Sequence, residues 1–580
     1  MSKLVHRSLL AGSIMALVAA CGGNDEQATT ANGTAATVAE RSAPAAARSS
    51  AEMAFLSRIE HDTPYLLAYD FSAMDRDLLN YLLNASSEAL VGLQKQLESN
   101  AEGDDPMQKL AMAVLDEFAN ANTVEAIERL GLDGHGQMSL SAIGIMPVLR
   151  WSLSDQDAFM ATVERIAAKA DMPLPEPKTH DGHQYWQIPI ENSAVIIGLG
   201  DNWVNAGHLA DLEDEQALET VLGLRAPERS LADAGTVTDI NSRYGFDGIS
   251  VAYVAVQDIL NAITDEGDNR IKSSISALVG ETELVPSACH GFVRAVGNTM
   301  PRIVSGSFNT SSRAMDTRSV VEFTGNTPSN LQAMAAAVPG MGVTSEQSLA
   351  RLSLALDQSA TRTVLNNLTA GLRSVSEGCP WVDESTLRNI DQSAMQLGNP
   401  MFASVKGLHV DFQSLDIMPG MMMPSDVRAH ALVAADNPLG LLGLAAMASP
   451  GLAQLDIQTN GEPVALGPDI IPPLVPAPHL AASDKALAMS VGEGHQEGLG
   501  DFLSGATADK AMLLRVSYDA RQIADMMKEQ MEAAAQGDPE AAAAMQAFDG
   551  SQFTVFDWIE IQVFANEHGL VVDQFSRIRD

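Results

Sequence analysis

One local pattern recurs four times along the 580-residue chain and restricts its fold more than any other feature. In each copy, alternating apolar and polar residues lead to an Asp or another polar residue, and then to a helical pattern. Alternation with a period of two is typical of a half-buried strand, and a polar side chain at its end can cap the next helix. Each copy therefore predicts a strand followed by a helix: YLLAYDFSAMDRDLLNYL, ISVAYVAVQDILNAI, LARLSLALDQSATRTVL and MLLRVSYDARQIADMM.

The first and last copies resemble each other further. Tyr69-Asp70 corresponds to Tyr518-Asp519, and in both copies a helix is followed by a break containing Gly-Asp and a second helix. Strand-like stretches come next in each. This similarity predicts two related α+β modules, which we expect at residues 51–275 and 276–580.

Several hairpins complete the predicted fold. HQYWQIPIENSAVIIGLGDNWVNAG contains three strand-like runs, PRIVSGSFNTSSRAMDTRSVVEF contains two, and Asn460-Gly461 is a strong hairpin signal. The predicted class is α+β, with antiparallel sheets and helices packed on one side. The uncharged stretch from Asn437 to Leu455 predicts a buried helix followed by a turn, because its glycines, prolines and flanking Asp residues disfavour a membrane span.

The N-terminus has the pattern of an export signal. A short basic region precedes the apolar run Leu9–Ala20, which is too short to span a bilayer. The run ends in Val18-Ala19-Ala20-Cys21, which resembles the lipobox of bacterial lipoproteins. The resemblance implies cleavage before Cys21 and acylation of that residue, so that residues 1–20 are a signal peptide.

Residues 21–50 are rich in Ala, Thr and Ser and contain no aromatic residue. Such a segment cannot bury enough apolar surface to fold, so we expect a disordered tether between the membrane and the folded body. Gly22, and not Asp, follows Cys21, which by analogy with enterobacterial sorting favours the outer membrane.

Composition excludes some partners and suggests one covalent bond. With 35 basic and 74 acidic residues, the formal net charge is −39, which argues against binding nucleic acid or an anionic membrane through a basic patch. Cys289 and Cys379 remain after Cys21 is assigned to lipid. An even pair in an exported chain predicts a disulfide between them.

Catalytic and metal-binding motifs are weak. The chain has no G-x-S-x-G, H-E-x-x-H or Walker lysine motif. We interpret the glycines of SVGEGHQEGLGDFL as a strand–helix turn. His180 and His183 can share a metal only with further ligands, and the methionines at 418 and 421–423 favour apolar packing over copper binding. We therefore assign no catalytic, cofactor-binding or metal-binding residue.

The body loosely resembles large uncharacterised envelope lipoproteins of proteobacteria in its lipobox, its GIMPVLRWSLSDQDAF join and its later cysteine pair. We expect a lipid-anchored, non-catalytic protein that faces the periplasm and binds or scaffolds a partner. A periplasmic carrier of a hydrophobic ligand and an enzyme of unrecognised type are the alternatives. A carrier would show an apolar groove, and an enzyme would show His and carboxylate groups clustered in a cleft.

Overall fold

The computed structural model describes residues 53–99, 106–190, 193–200, 202–209, 213–264, 269–279, 284–343, 348–399, 404–417, 424–471, 475–535 and 556–578. The strands within these residues are β1 Tyr65–Asp70, β2 Gln137–Ile143, β3 Met146–Ser152, β4 Lys178–His180, β5 His183–Ile190, β6 Ser193–Leu199, β7 Trp203–Leu209, β8 Ser250–Val254, β9 Ile303–Ser311, β10 Ala314–Glu322, β11 Ala350–Ala355, β12 Val405–Ile417, β13 Pro424–Ala435, β14 Val464–Ala465, β15 His479–Ala482, β16 Ala486–Val491, β17 Ala511–Asp519, β18 Trp558–Asn566 and β19 Gly569–Arg577.

The helices are α1 Arg76–Ser99, α2 Pro106–Ala119, α3 Val124–Arg129, α4 Gln156–Lys169, α5 Glu215–Leu222, α6 Leu231–Ala234, α7 Thr236–Tyr244, α8 Val256–Ile263, α9 Asn269–Val279, α10 His290–Thr299, α11 Thr327–Ala333, α12 Gln358–Val375, α13 Glu384–Leu397, α14 Pro438–Ala448, α15 Leu499–Leu503 and α16 Ala520–Ala535. Short 3₁₀ helices cover Ala54–Arg58, Phe71–Ala73, Ser287–Cys289, Pro450–Gln454 and His495–Gly498.

The strands form one antiparallel sheet, which confirms the α+β class. The pairings give the order β4-β5-β6-β7-β3-β2-β1-β8-β9-β10-β19-β18-β17-β11-β12-β13-β16-β15-β14. The three-run hairpin region is β5 to β7, and the two-run region is β9 and β10, as predicted.

Twelve of the nineteen described strands belong to four copies of one unit, each a strand, a helical connection and a hairpin, and β4–β7 and β14–β16 extend the sheet at its two ends. Unit A is β1, α1–α3, β2 and β3; unit B is β8, α8–α10, β9 and β10; unit C is β11, α12–α13, β12 and β13; unit D is β17, α16, β18 and β19. The four predicted strand–helix segments are the beginnings of these four units. Units A and B form one half of the sheet, units C and D form the other, and β10 pairs with β19 where the halves meet.

The first and last units are topological equivalents, as their Asp residues predict. The amide of Asp70 donates a hydrogen bond to the carbonyl just before β8 (2.8 Å), and the amide of Asp519 donates to the carbonyl just before β11 (2.9 Å). Each carboxylate also accepts from the backbone of the following turn, from Ser72 in unit A and from Gln522 in unit D. Asp70 begins a 3₁₀ turn before α1, whereas Asp519 leads directly into α16.

Helices lie against both faces of the sheet. The sequence predicted helices on one side, and the structure has further helices on the other. Leu67 and Tyr69 of β1 contact the core beneath α1, whereas Leu66 and Ala68, which point the other way, join a core that includes α6, α7 and α15. Residues 275 and 276, the expected module boundary, lie inside α9, and the chain passes from the half with units A and B to the half with units C and D between β10 and β11.

The hairpin predicted at Asn460-Gly461 is wrong. The two residues form a turn, but a 3₁₀ helix precedes it and only the two-residue strand β14 follows, pairing with β15. Pro463 accounts for this, because proline lacks the amide that a ladder next to the turn would need.

Candidate functional site

In the half of the sheet formed by units C and D, one face packs against α15 and the segment around Met341, and we call it the covered face. Buried charged side chains of these strands lie on it. Three arginine–carboxylate pairs lie there. The closest atoms are 2.7 Å apart for Arg351 and Asp411, and 2.9 Å apart for Arg515 and Glu560. The third pair joins Arg318 to Asp573 at 2.6 Å, where units B and D meet. All three carboxylates are almost fully buried, and buried charges persist only when paired in this way.

The covered face also holds a serine–histidine pair that sequence reasoning did not detect. The Ser353 hydroxyl lies 2.7 Å from His409 Nδ1, and the imidazole stacks on Phe502 with ring centroids 4.8 Å apart. Burial, and then the positive charge of Arg351, lowers the pKa of His409 to about 4. Ser353 is only 2% exposed, so a substrate cannot reach this pair, and we interpret it as part of the core.

The opposite face of the same strands is mostly aliphatic, with Tyr518 and Gln574 beside Ile559 and Ile561, and we call its aliphatic side chains the aliphatic face. The register places its side chains next to one another across five strands. It consists of Leu352, Leu354, Leu408, Val410, Phe412, Leu514, Val516, Ile559, Ile561, Val563, Leu570 and Val572.

The aliphatic face is incompletely covered. Leu354 is 44% exposed, and Leu352 and Phe412 are also exposed, while the remaining nine side chains are half-buried. None of the twelve carries a charge. A contiguous apolar surface open to water marks an interaction site or a ligand groove, so this face is the strongest candidate for a binding site.

A disulfide links two helical connections across the strands that carry the aliphatic face. Cys379 lies between α12 and α13, Cys289 lies just before α10, and their Cα atoms are 4.6 Å apart, so the predicted pair is present. In the sheet, the bases of these connections, β9 and β11, are separated by β10, β19, β18 and β17. At about 4.8 Å per strand this separation is roughly 24 Å, so the bond holds the two connections together over a long span.

Among the described residues, one group of side chains has the arrangement of a metal site. Ligand atoms of His180, Asp181 and Glu219 all lie within 4.8 Å of one another, and they could hold a divalent cation with open positions for water. His183, the other histidine of this hairpin, is not among them, and its ring contacts the Asp181 carbonyl at 3.1 Å. Glu219 comes from α5, so no local spacing in the sequence could have revealed it.

The other residues singled out in the sequence fall into two groups. Gly492 and Gly494 have positive φ and connect β16 to the turn before α15, which confirms the strand–helix turn. Cys21 and the methionines at 418 and 421–423 lie outside the described residues.

The chain matches no protein-family model, and no curated protein or solved structure is similar to it. In the part of the chain that the structure describes, none of the helices combines the length and apolar character needed to cross a membrane.

Proposed function

We propose that this protein is a lipid-anchored component of the bacterial cell envelope that faces the periplasm and binds the acyl chain of a hydrophobic ligand, without catalysis. The observation that carries the proposal is the open aliphatic face. The anchor is supported by the lipobox that ends at Cys21. Acylation at this position would keep the body close to a membrane, which is the main store of acyl chains in the envelope.

The distribution of side chains between the two faces supports a ligand. In β11, the face that is covered receives Arg351 and Ser353, while Leu352 and Leu354 are exposed. Exposing aliphatic area to water is unfavourable by about 25 cal/mol per Å². An occupant of the aliphatic face would recover this free energy.

An acyl chain suits this surface better than a polar metabolite. The twelve side chains offer neither a charge nor a hydrogen-bonding group, so they can recognise only apolar groups. Each buried methylene contributes about 0.8 kcal/mol, and a chain of eight to ten methylenes would gain roughly 6–8 kcal/mol before the entropic cost of binding.

The test uses the mature chain, residues 21–580, as the unlipidated Cys21→Ala variant without the signal peptide, with the neutral fluorophore N-phenyl-1-naphthylamine as the probe. We expect saturable binding that a long-chain fatty acid displaces, and at least a tenfold loss of affinity in Leu354→Asp. The control is Val343→Asp, because Val343 is comparably exposed, at 40%, but follows a segment packed on the covered face. Unsaturable binding, or equal affinity in Leu354→Asp, would reject the proposal.

A further inference from the structure

Helix α14 is the least polar of the described helices and has a well-defined start and end. Its eleven residues, PLGLLGLAAMA, include no polar side chain. Asn437 caps the helix by accepting a hydrogen bond from the Gly440 amide (2.9 Å), and Pro438 occupies the first turn, where its missing amide costs nothing. The helix ends before Pro450, which cannot continue it.

This helix lies on the surface, so the predicted buried helix is wrong in its burial although correct in its secondary structure. Met447 is 83% exposed, Leu439 and Leu444 are also exposed, and only Pro438 is buried. The helix contacts β13 and β16 on one side. A helix that is apolar all round normally lies inside a protein core or a membrane, so the exposed side of α14 lacks its expected environment.

The apolar surface continues beyond α14 and carries no charge of its own. The 3₁₀ helix Pro450–Gln454 follows directly, and Ile470 packs close to Gly451. No charged residue occurs from Asn437 to Leu455. The acidic residue just before the helix, Asp436, is paired with Lys406 at 3.1 Å.

We propose that α14 and the 3₁₀ helix after it insert into the surface of a lipid bilayer. Eleven helical residues span about 16 Å, too little to cross an apolar core of about 30 Å, so the helix would lie within one leaflet. The net charge of −39 disfavours attraction to anionic lipid headgroups, so an apolar contact is the favourable way to hold the body against a membrane. Leu, Ala, Gly and Met offer no directional contacts, which suits fluid acyl chains better than a shaped protein partner.

The proposed anchor at Cys21 would keep the folded body near a membrane, and in this respect the inference rests on the proposed function. Cys21 precedes the first described residue, Met53, by 32 residues. A flexible chain of that length has an r.m.s. end-to-end distance of roughly 30 Å. One lipid anchor of this kind restrains position but not orientation, and insertion of α14 would fix which side of the protein faces the bilayer.

The test is flotation of the mature chain, residues 21–580 with Cys21→Ala and so without the apolar run Leu9–Ala20, with vesicles of neutral phosphatidylcholine. We expect the chain to float with the vesicles and binding to be insensitive to salt. Met447→Asp should reduce partitioning at least tenfold. Met395→Asp is the matched control, because Met395 is 71% exposed but lies on α13, among charged residues, and it should leave partitioning unchanged.

A second measurement reports the contact directly. Tryptophan placed at residue 447 should be quenched by brominated lipids, and tryptophan placed at residue 395 should not. If the acylated wild type floats but Cys21→Ala does not, the inference is overturned while the anchor stands. If the wild type also fails to float, the proposed anchor fails. If Met447→Asp instead abolishes a dimer seen by light scattering, α14 is a contact between two copies and the inference is overturned.

Discussion

The disulfide between Cys289 and Cys379 allows the most quantitative prediction. The two cysteines are 90 residues apart, and the closed loop contains α10, β9, β10, α11, β11 and α12. Closing a loop of this length lowers the entropy of the unfolded chain by about 15 cal/mol/K, which is about 4–5 kcal/mol at 25 °C. Both sulfurs are buried against Val285 and Val293, so alanine is the substitution that introduces no unsatisfied polar group.

We therefore expect Cys289→Ala/Cys379→Ala to lose about 4–5 kcal/mol in the free energy of unfolding, measured by urea titration with tryptophan fluorescence in a Cys21→Ala background. Wild type treated with reductant should unfold at nearly the same urea concentration as the double variant, which is the control for packing changes. Trypsin should also cleave faster at Arg373 and Arg388, because α12 and α13 lose their attachment to α10. A loss below about 1 kcal/mol would refute the loop-entropy reasoning.

Three further predictions concern the covered face. Burial lowers the pKa of His409 to about 4, against about 6.5 in an unfolded chain, so below pH 6.5 the unfolded state takes up the proton first. The wild type should therefore lose about 3 kcal/mol of unfolding free energy between pH 7 and pH 4 relative to His409→Gln. Urea titrations at each pH measure this loss, and an equal dependence of unfolding free energy on pH in the two proteins would contradict the prediction. Glu560→Gln leaves the Arg515 charge uncompensated and should cost about 3–5 kcal/mol, whereas Glu567→Gln, at an exposed hairpin turn, should cost less than about 0.5 kcal/mol. Gly340 has φ +82° and a Cβ there would lie 2.7 Å from His409, whereas Gly325 has φ +63° and open space. Gly340→Ala should therefore lower the melting temperature more than Gly325→Ala, and equal shifts would show that the close approach is not limiting.

The four strand–helix units could be predicted because their signals are local. Alternation with a period of two and an Asp at the strand end depend only on neighbouring residues, and Asp70 and Asp519 have equivalent positions. The pairing of β10 with β19 could not be predicted, because it joins residues more than 240 positions apart and no short pattern reports it.

The aliphatic face could not be predicted from the sequence for a different reason. Alternation in β11 separates Arg351 and Ser353 from Leu352 and Leu354, but it does not say which set is covered. Hydrophobicity alone would bury the leucines. The fold covers the other set because Asp411 and His409 on β12 provide partners for Arg351 and Ser353, and those partners become neighbours only when the strands pair. For the same reason, the exposure of α14 depends on the two strands beside it and not on its own composition.

The pairing of β10 with β19 also determines the order in which this sheet can be completed. The strand that joins the two halves, Gly569–Arg577, is the last strand described in the chain. Until it is made, β10 remains an open sheet edge that can pair with other chains. The junction between the two halves can therefore form only after the last described strand has been made. A truncation that removes β19 would divide the sheet in two, whereas loss of an edge strand would only shorten it.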